Sequence, residues 1–321
     1  MTIDPSTSHS AESLRIGTPP LGPPPEVLRH LPAELADKTQ RLWQRVTAFA
    51  QPIVAFSGGV DSSLLAAVLA LTHARRVLLV TADSPSLSQR QRDIAARVAR
   101  ELDLPHRWLA TQEATDPLYQ RNQRDRCYYC KSHLYAALSA VAEEFPEATV
   151  FSGTNLDDLG DFRPGLRAAA EQNVRAPLAE TGFTKADVRG LAQALNLSVH
   201  DLPAAPCLAS RLAYGVAVTP ERLRRVERAE QWLWEAGFSD VRVRVLPGEL
   251  ARIEVPHAEV LRLASWLRPD SDDRARPDFG ALGFNDVEIA AQGLVSGNLN
   301  SLPDAVDASK ISQSLPRLPI L

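Results

Sequence analysis

Residues 57–63 read Ser-Gly-Gly-Val-Asp-Ser-Ser and stand between the apolar run 53–56 and an apolar stretch that ends at Leu71. A short strand-like run that passes through two glycines into a helix-length apolar segment restricts the fold strongly. Both segments need burial on more than one side, and a parallel sheet covered by helices supplies it. The rest of the amino-terminal half repeats the alternation. Residues 32–49 carry Leu35, Leu42, Val46 and Phe49 on one side of a helix. The pattern then predicts helices over 62–71, 88–102, 131–144 and 184–195, with strands over 53–56, 77–82, 107–110 and 148–152. Thr184 and Asp187 have capping-box spacing. This order implies right-handed crossovers and an α/β fold built on a parallel, Rossmann-like sheet.

The pattern changes after residue 216. Thr219-Pro220 is an N-cap followed by proline at the first helical position, Leu223, Val226, Ala229 and Leu233 continue the helix, and Gly237 stops it. Val-Arg-Val-Arg-Val over 241–245 alternates as a half-buried strand, with 251–255 as its partner. A helix over 258–267 and a strand over 286–290 complete a small α+β domain. The expected organisation is a disordered tail over 1–30, an α/β domain over 31–215, the small domain over 216–300, and a second tail over 301–321.

The chain has 321 residues, a length suited to about two domains. Its net charge of −4 gives no global electrostatic case for a nucleic-acid partner. No run is long and apolar enough to cross a bilayer, and no basic segment followed by an apolar one opens the chain. A cytoplasmic location, away from membranes, is expected. Three cysteines, Cys127, Cys130 and Cys207, are too few and too odd in number for a disulfide framework.

The 57–63 loop has the composition of a phosphate cradle. Gly58 and Gly59 allow close backbone approach, Ser57, Ser62 and Ser63 add hydroxyls, and the following helix contributes its N-terminal dipole. Asp61 conflicts with a bound anion unless a cation bridges the two, and magnesium does so. The Lys of the kinase-type loop is absent. A second polar concentration, residues 153–165, follows the strand at 148–152 and includes Asp157, Asp158, Asp161 and Arg163. Ligands of parallel sheets bind at that end of the strands. Cys127-Tyr-Tyr-Cys130 and the distant Cys207 allow several readings: unrelated buried thiols, a redox dithiol, a zinc site with His133, or three ligands of a [4Fe–4S] cluster. Arg242 and Arg244, two apart on a strand, project to one face and suit a phosphate or carboxylate, with Arg211 a weaker candidate.

The string SGGVDSS resembles the PP-loop of ATP pyrophosphatases, which release pyrophosphate and adenylate an oxygen. With RCYYCK, GTNLDDLGDFRPGL, APLAETGFTKADVRGLA, PCLASRLAYG and VRVRVL in that order, residues 32–300 resemble the LarE family. These are ATP-dependent sulfurtransferases that act on pyridinium-3,5-dicarboxylate mononucleotide and supply sulfur for the nickel-pincer cofactor of lactate racemase. The resemblance implies ATP and Mg²⁺, with Ser57, Gly58, Gly59, Ser62, Ser63, Asp158, Asp161 and Arg163 at the nucleotide and Asp61 at magnesium. It implies substrate-phosphate contacts from Arg242 and Arg244, and hexamers built from trimers. Glu230 and Glu254 match acidic positions linked to metal or inter-subunit contacts, which exposed glutamates would explain equally well. In single-cysteine members the cysteine at the place of Cys207 is sacrificed as sulfur donor. Three-cysteine members hold a [4Fe–4S] cluster, and Cys127, Cys130 and Cys207 together favour that type, reloaded by sulfide or a sulfur-donating protein. Three neighbouring thiolates would repel one another without a metal. A PP-loop tRNA thiolation enzyme with an iron–sulfur cluster is the alternative.

Overall fold

The computed structural model describes residues 22–73, 76–160, 164–268 and 278–294. Four parallel strands, β1 (Gln51–Ala55), β2 (Leu78–Asp83), β3 (His106–Ala110) and β4 (Ala148–Ser152), form a sheet in the order β3-β2-β1-β4. Side chains alternate between two cores. Val54, Leu79 and Phe151 meet the helices Ala33–Thr47, Val60–His73, Gln89–Glu101 and Lys185–Ala194 on one face. Ile53, Leu78, Val80 and Val150 meet the helices Arg126–Ala142 and Pro164–Glu171 on the other. Each fully buried Leu or Ile in these layers stabilises the fold by roughly 1.5–3 kcal/mol. The α/β fold and parallel sheet expected from the alternation are present.

The strand order has a functional consequence. From β1 the chain runs outward through β2 to β3, then returns to place β4 on the opposite side of β1. That reversal opens a crevice at the carboxyl ends of β1 and β4, where ligands of open α/β sheets bind. The Ser57–Ser63 loop follows β1 and the acidic loop follows β4.

Several elements differ from their sequence signals. Val60–His73 begins two residues before the expected 62, because Val60 packs in the core. The helix expected from 131 begins at Arg126, so Cys127 and Cys130 lie on its first turn. Pro25–Arg29, within the expected disordered tail, is a short helix whose Val27 is buried against the first core. Pro164–Glu171 is a further helix that the pattern did not signal, and it packs along Arg126–Ala142. The capping predictions hold: Thr184 accepts from the Asp187 amide, and Thr219 accepts from the Arg222 amide.

The second sheet has the order β5-β6-β7, from β5 (Arg242–Leu246), β6 (Leu250–Glu254) and β7 (Asp286–Ile289). β5 and β6 form an antiparallel hairpin, and β7 runs parallel to β6. The helices Pro220–Glu235 and Val260–Trp266 complete this core through Leu223, Val226, Leu233 and Leu263. β5 was expected to be half-buried but is buried at four of five positions. The reason is the segment after Cys207, which lies across it: Leu212 bridges to Val245, and the Ala213 amide donates to the Val245 carbonyl.

Candidate active site

Gly58 turns the phosphate loop with φ +73°, in the left-handed region that glycine enters without strain. A Cβ there would stand 2.7 Å from Ala95 Cα, so the loop packs directly on the Gln89–Glu101 helix. Ser57 and Ser62 shape it internally. The Ser57 amide donates to Ser62 Oγ at 3.2 Å, Ser62 Oγ donates to the Gly59 carbonyl at 3.2 Å, and the Gly59 amide donates to Ser57 Oγ at 3.3 Å. Ser63 is fully buried and its Oγ has no protein partner. A buried hydroxyl without a partner at the start of a helix is a strong pointer to a ligand, since such groups cost stability when unsatisfied.

The acidic loop closes on the same helix terminus. A Cβ on Gly153 would lie 2.7 Å from the Ser62 amide nitrogen, so only glycine lets the two loops meet. Asn155, buried, donates to Asp61 Oδ1 at 3.0 Å, while its own Oδ1 accepts from the amides of Asp157 and Asp158. Asp158 Oδ2 accepts from the Asn155 amide at 3.1 Å, so this carboxylate shapes the loop. Lys185 Nζ reaches Asp61 Oδ2 at 2.5 Å, and the Lys185 amide donates to Asp157 Oδ2 at 2.8 Å. Asp161 and Arg163, expected at the nucleotide, lie outside the described residues. Gly153, Asn155 and Lys185 belong to segments the sequence reading quoted, but none was singled out there. Their signal is position, at the end of β4 and at a helix start.

The two segments that carry the cysteines meet at the junction of the two sheets. Cys130 and Cys207 pack against the second core, and Cys127 is exposed. Arg126 links their segments. Its Nη1 donates to Asn122 Oδ1 at 2.7 Å and to the Ala209 carbonyl at 2.7 Å, and its Nη2 approaches Cys127 Sγ at 3.8 Å. Asn122, fully buried, donates to the carbonyls of Leu212, Ala213 and Val216. The Leu208 amide donates to the Ser86 carbonyl, which ties the Cys207 turn to the loop after β2. Burial, followed by the nearby Cys207 sulfur, pushes the Cys130 thiol up to about 12. Burial, with Cys207 and Cys130 close by, also holds the Tyr119 hydroxyl above its usual range. His133 is paired with Asp116 at 2.9 Å. Among the described residues, no three His, Cys, Asp or Glu side chains are grouped to hold one metal ion. Arg126 stands immediately before Cys127 in the sequence, yet nothing there marked it as more than a surface cation.

The arginines divide into two roles. Arg211, 7% exposed, forms a two-point pair with Glu230 at 2.9 and 3.3 Å and donates to the Pro206 carbonyl at 2.5 Å. It supports the Cys207 turn from beneath. Arg244, 4% exposed, donates to Glu254 Oε2 at 2.8 Å and to the Ser210 carbonyl at 2.9 Å, leaving its Nε without a partner. Glu230 and Glu254 are therefore not exposed glutamates, as one sequence reading allowed. They are buried counter-charges, and Glu230 also accepts from the Val243 amide at 3.0 Å. Arg242 is only partly buried and lines an open cleft of about 80 Å³ with Gln91, Pro206, Arg211, Glu230 and Trp234. Burial, then the charges of Arg211 and Arg244, lowers the Arg242 pKa, with Glu254 and Glu230 acting in the opposite sense. Arg90 lies over the Trp234 ring at 4.9 Å.

Among the described residues no helix is long and apolar enough to cross a membrane. Residues 40–124, which hold the phosphate loop, match the asparagine synthase family, whose ATP-binding part is of the PP-loop type. A Synechocystis protein of uncharacterised function is 38% identical over 83% of this chain and 98% of its own length. A Methanocaldococcus jannaschii protein, also uncharacterised, is 30% identical over 60% of this chain and 73% of its own. Pyridinium-3,5-bisthiocarboxylic acid mononucleotide synthase of Lactiplantibacillus plantarum is 34% identical over 84% of this chain and 95% of its own length. At that identity and coverage the chain belongs to the family of this synthase, the LarE family.

Proposed function

We propose that the protein uses ATP to adenylate a carboxylate of pyridinium-3,5-dicarboxylate mononucleotide and then exchanges the activated oxygen for sulfur. The observation that supports this reading is the Arg126 link, which joins the Cys127–Cys130 turn to the segment after Cys207, while the Leu208 amide ties that segment to the loop after β2, a neighbour of β1 in the sheet. Activation and sulfur delivery then share one crevice. The name of the Lactiplantibacillus relative supports the choice of substrate.

In the first step a substrate carboxylate oxygen attacks the α-phosphorus and pyrophosphate leaves. Backbone amides at Gly58 and Gly59 and the helix N-terminus at Val60 hold the phosphate charge. The unpartnered Ser63 hydroxyl and Ser62 complete that cradle. Asp61 fits magnesium, which is held by one or two carboxylates and otherwise by phosphate oxygens and water. In the second step a sulfide attacks the acyl carbon, and AMP leaves with the former carboxylate oxygen. Arg242 suits the substrate phosphate because it faces the cleft. Arg244 and Arg211 hold the wall behind it.

Cys127, Cys130 and Cys207 are the residues that would hold a [4Fe–4S] cluster, since His133 is engaged with Asp116, and the three thiols, not grouped as one metal site in this structure, would have to draw together to do so. Such a cluster, when bound, supplies an iron open to a transferable sulfide. Copies of this chain are the proposed oligomeric partners, and sulfide or a sulfur-donating protein is the proposed source. The test uses anaerobic full-length protein with ATP, magnesium, the pyridinium dicarboxylate mononucleotide and sulfide. AMP and a product in which sulfur replaces oxygen are expected, together with iron and acid-labile sulfide in the protein. Thiolation of tRNA with no turnover of the mononucleotide would overturn the reading. Colourless, iron-free protein that still turns over repeatedly would remove the cluster from it.

A further inference from the structure

Asp61 sits in the wrong electrostatic company. It lies in a loop built for phosphate, where a bare carboxylate repels the ligand. The structure shows how the charge is met. Asp61 Oδ1 accepts from Asn155 at 3.0 Å, and Oδ2 accepts from Lys185 Nζ at 2.5 Å. The two oxygens differ in permanence. Asn155 is buried and fixed by its own turn, whereas the Lys185 side chain is 34% exposed and Asp61 is 26% exposed. Lys185 is also well anchored at its base. It is the first residue of the helix Lys185–Ala194, its amide is held by Asp157, and Thr184 caps the turn with Asp187. A flexible four-carbon stem on a fixed base moves a point charge over a few ångströms at little cost.

We propose that Lys185 is a stand-in cation. It neutralises Asp61 while the loop is empty, yields Oδ2 to magnesium when the nucleotide enters, and carries its charge onto the polyphosphate. Asp61 keeps Asn155 throughout, so only one of its oxygens changes partner. No bond to the ammonium is made or broken other than hydrogen bonds. The inference rests on the ATP-dependent reading above and adds to it a residue that couples magnesium entry to phosphate binding.

The test is the affinity of the full-length protein for a fluorescent ATP analogue, measured in EDTA and in excess magnesium. In EDTA, Lys185→Met is expected to weaken binding about tenfold, because Asp61 then faces the polyphosphate uncompensated. Lys185→Arg keeps the charge and is expected to stay near wild type, which also controls for folding. Adding Asp61→Asn to Lys185→Met should restore binding in EDTA and fail to restore it in magnesium, where Asp61 is needed. If the ion pair only tethered the helix, the double variant would bind no better than Lys185→Met in either condition, and the inference would be overturned. It would equally be overturned if Lys185→Met matched wild type in EDTA. A wild-type protein that binds no ATP would overturn the functional reading as well, so the two failures are distinguishable.

Discussion

Arg126 Nη1 donates to the carbonyl oxygen of Ala209 at 2.7 Å, across 83 residues of sequence. The same nitrogen donates to Asn122, whose amide holds three carbonyls of the segment after Cys207. One buried guanidinium therefore sets the separation between the Cys127–Cys130 turn and Cys207. Replacing Arg126 by Ala leaves the Ala209 carbonyl and Asn122 Oδ1 without their donor. A loss of about 2–4 kcal/mol is expected in urea denaturation of metal-free protein. Arg126→Lys should fall between, since it keeps the charge and loses the fork. A stability within about 0.5 kcal/mol of wild type for Arg126→Ala would show the link to be incidental.

The two loop glycines should respond differently. Gly58→Ala meets both a positive φ and the Ala95 backbone at 2.7 Å, so displacement of the loop and loss of nucleotide binding are expected. Gly59→Ala meets only Ser57 Oγ at 3.3 Å, a side chain able to turn away. Calorimetric titration with ATP and magnesium distinguishes them, and equal affinities would refute the steric argument.

Arg211 is buried against Glu230, whereas Arg242 lines the open cleft, and the two are expected to respond differently. Arg211→Ala strands Glu230 as a buried, unpaired carboxylate and is expected to cost about 3–5 kcal/mol of stability. Arg242→Ala should leave the thermal midpoint almost unchanged while raising KM for the mononucleotide about tenfold or more, the ordinary cost of a lost charge-assisted contact. The reverse pattern would exchange their roles.

Cys130 predicts a pH response in metal-free protein. Its folded thiol is pushed up to about 12 by burial and by Cys207, from a reference of 9.0. The folded state therefore holds this proton more tightly than the unfolded chain does. The stabilising contribution is complete below pH 9 and declines as pH rises from there toward 12. Alkylation at pH 8 should label the exposed Cys127 well before Cys130, as read by peptide mass spectrometry. Rapid labelling of Cys130 at pH 8 would contradict the burial that raises it.

Local signals carried most of the layered fold. Thr184, Thr219 and the alternating runs act through neighbours in sequence, so their helices and strands fall where the pattern puts them. The phosphate loop was legible for the same reason, since strand, glycines and helix are contiguous. The roles of Arg244, Arg211, Glu230 and Glu254 were not. Alternation along β5 implied a solvent face for Arg244, but the segment after Cys207 covers that face, and no local pattern announces a cover that arrives from 34 residues away. Lys185 was hidden for a related reason, as its partner Asp61 lies 124 residues upstream.

The helix Arg126–Ala142 starts against one core and ends in the other. Tyr129 and Cys130 pack with the second sheet, while Leu134, Leu138 and Val141 pack beneath the first. Gly215 and Val218 add backbone bonds to Asn122 and Gln120 at its approach. A chain cut near residue 215 for separate expression would strip Tyr119, Tyr129 and Cys130 of their apolar neighbours and leave the sulfur-bearing turn facing water. Each half would then carry a sticky surface that the intact chain covers with its own other half.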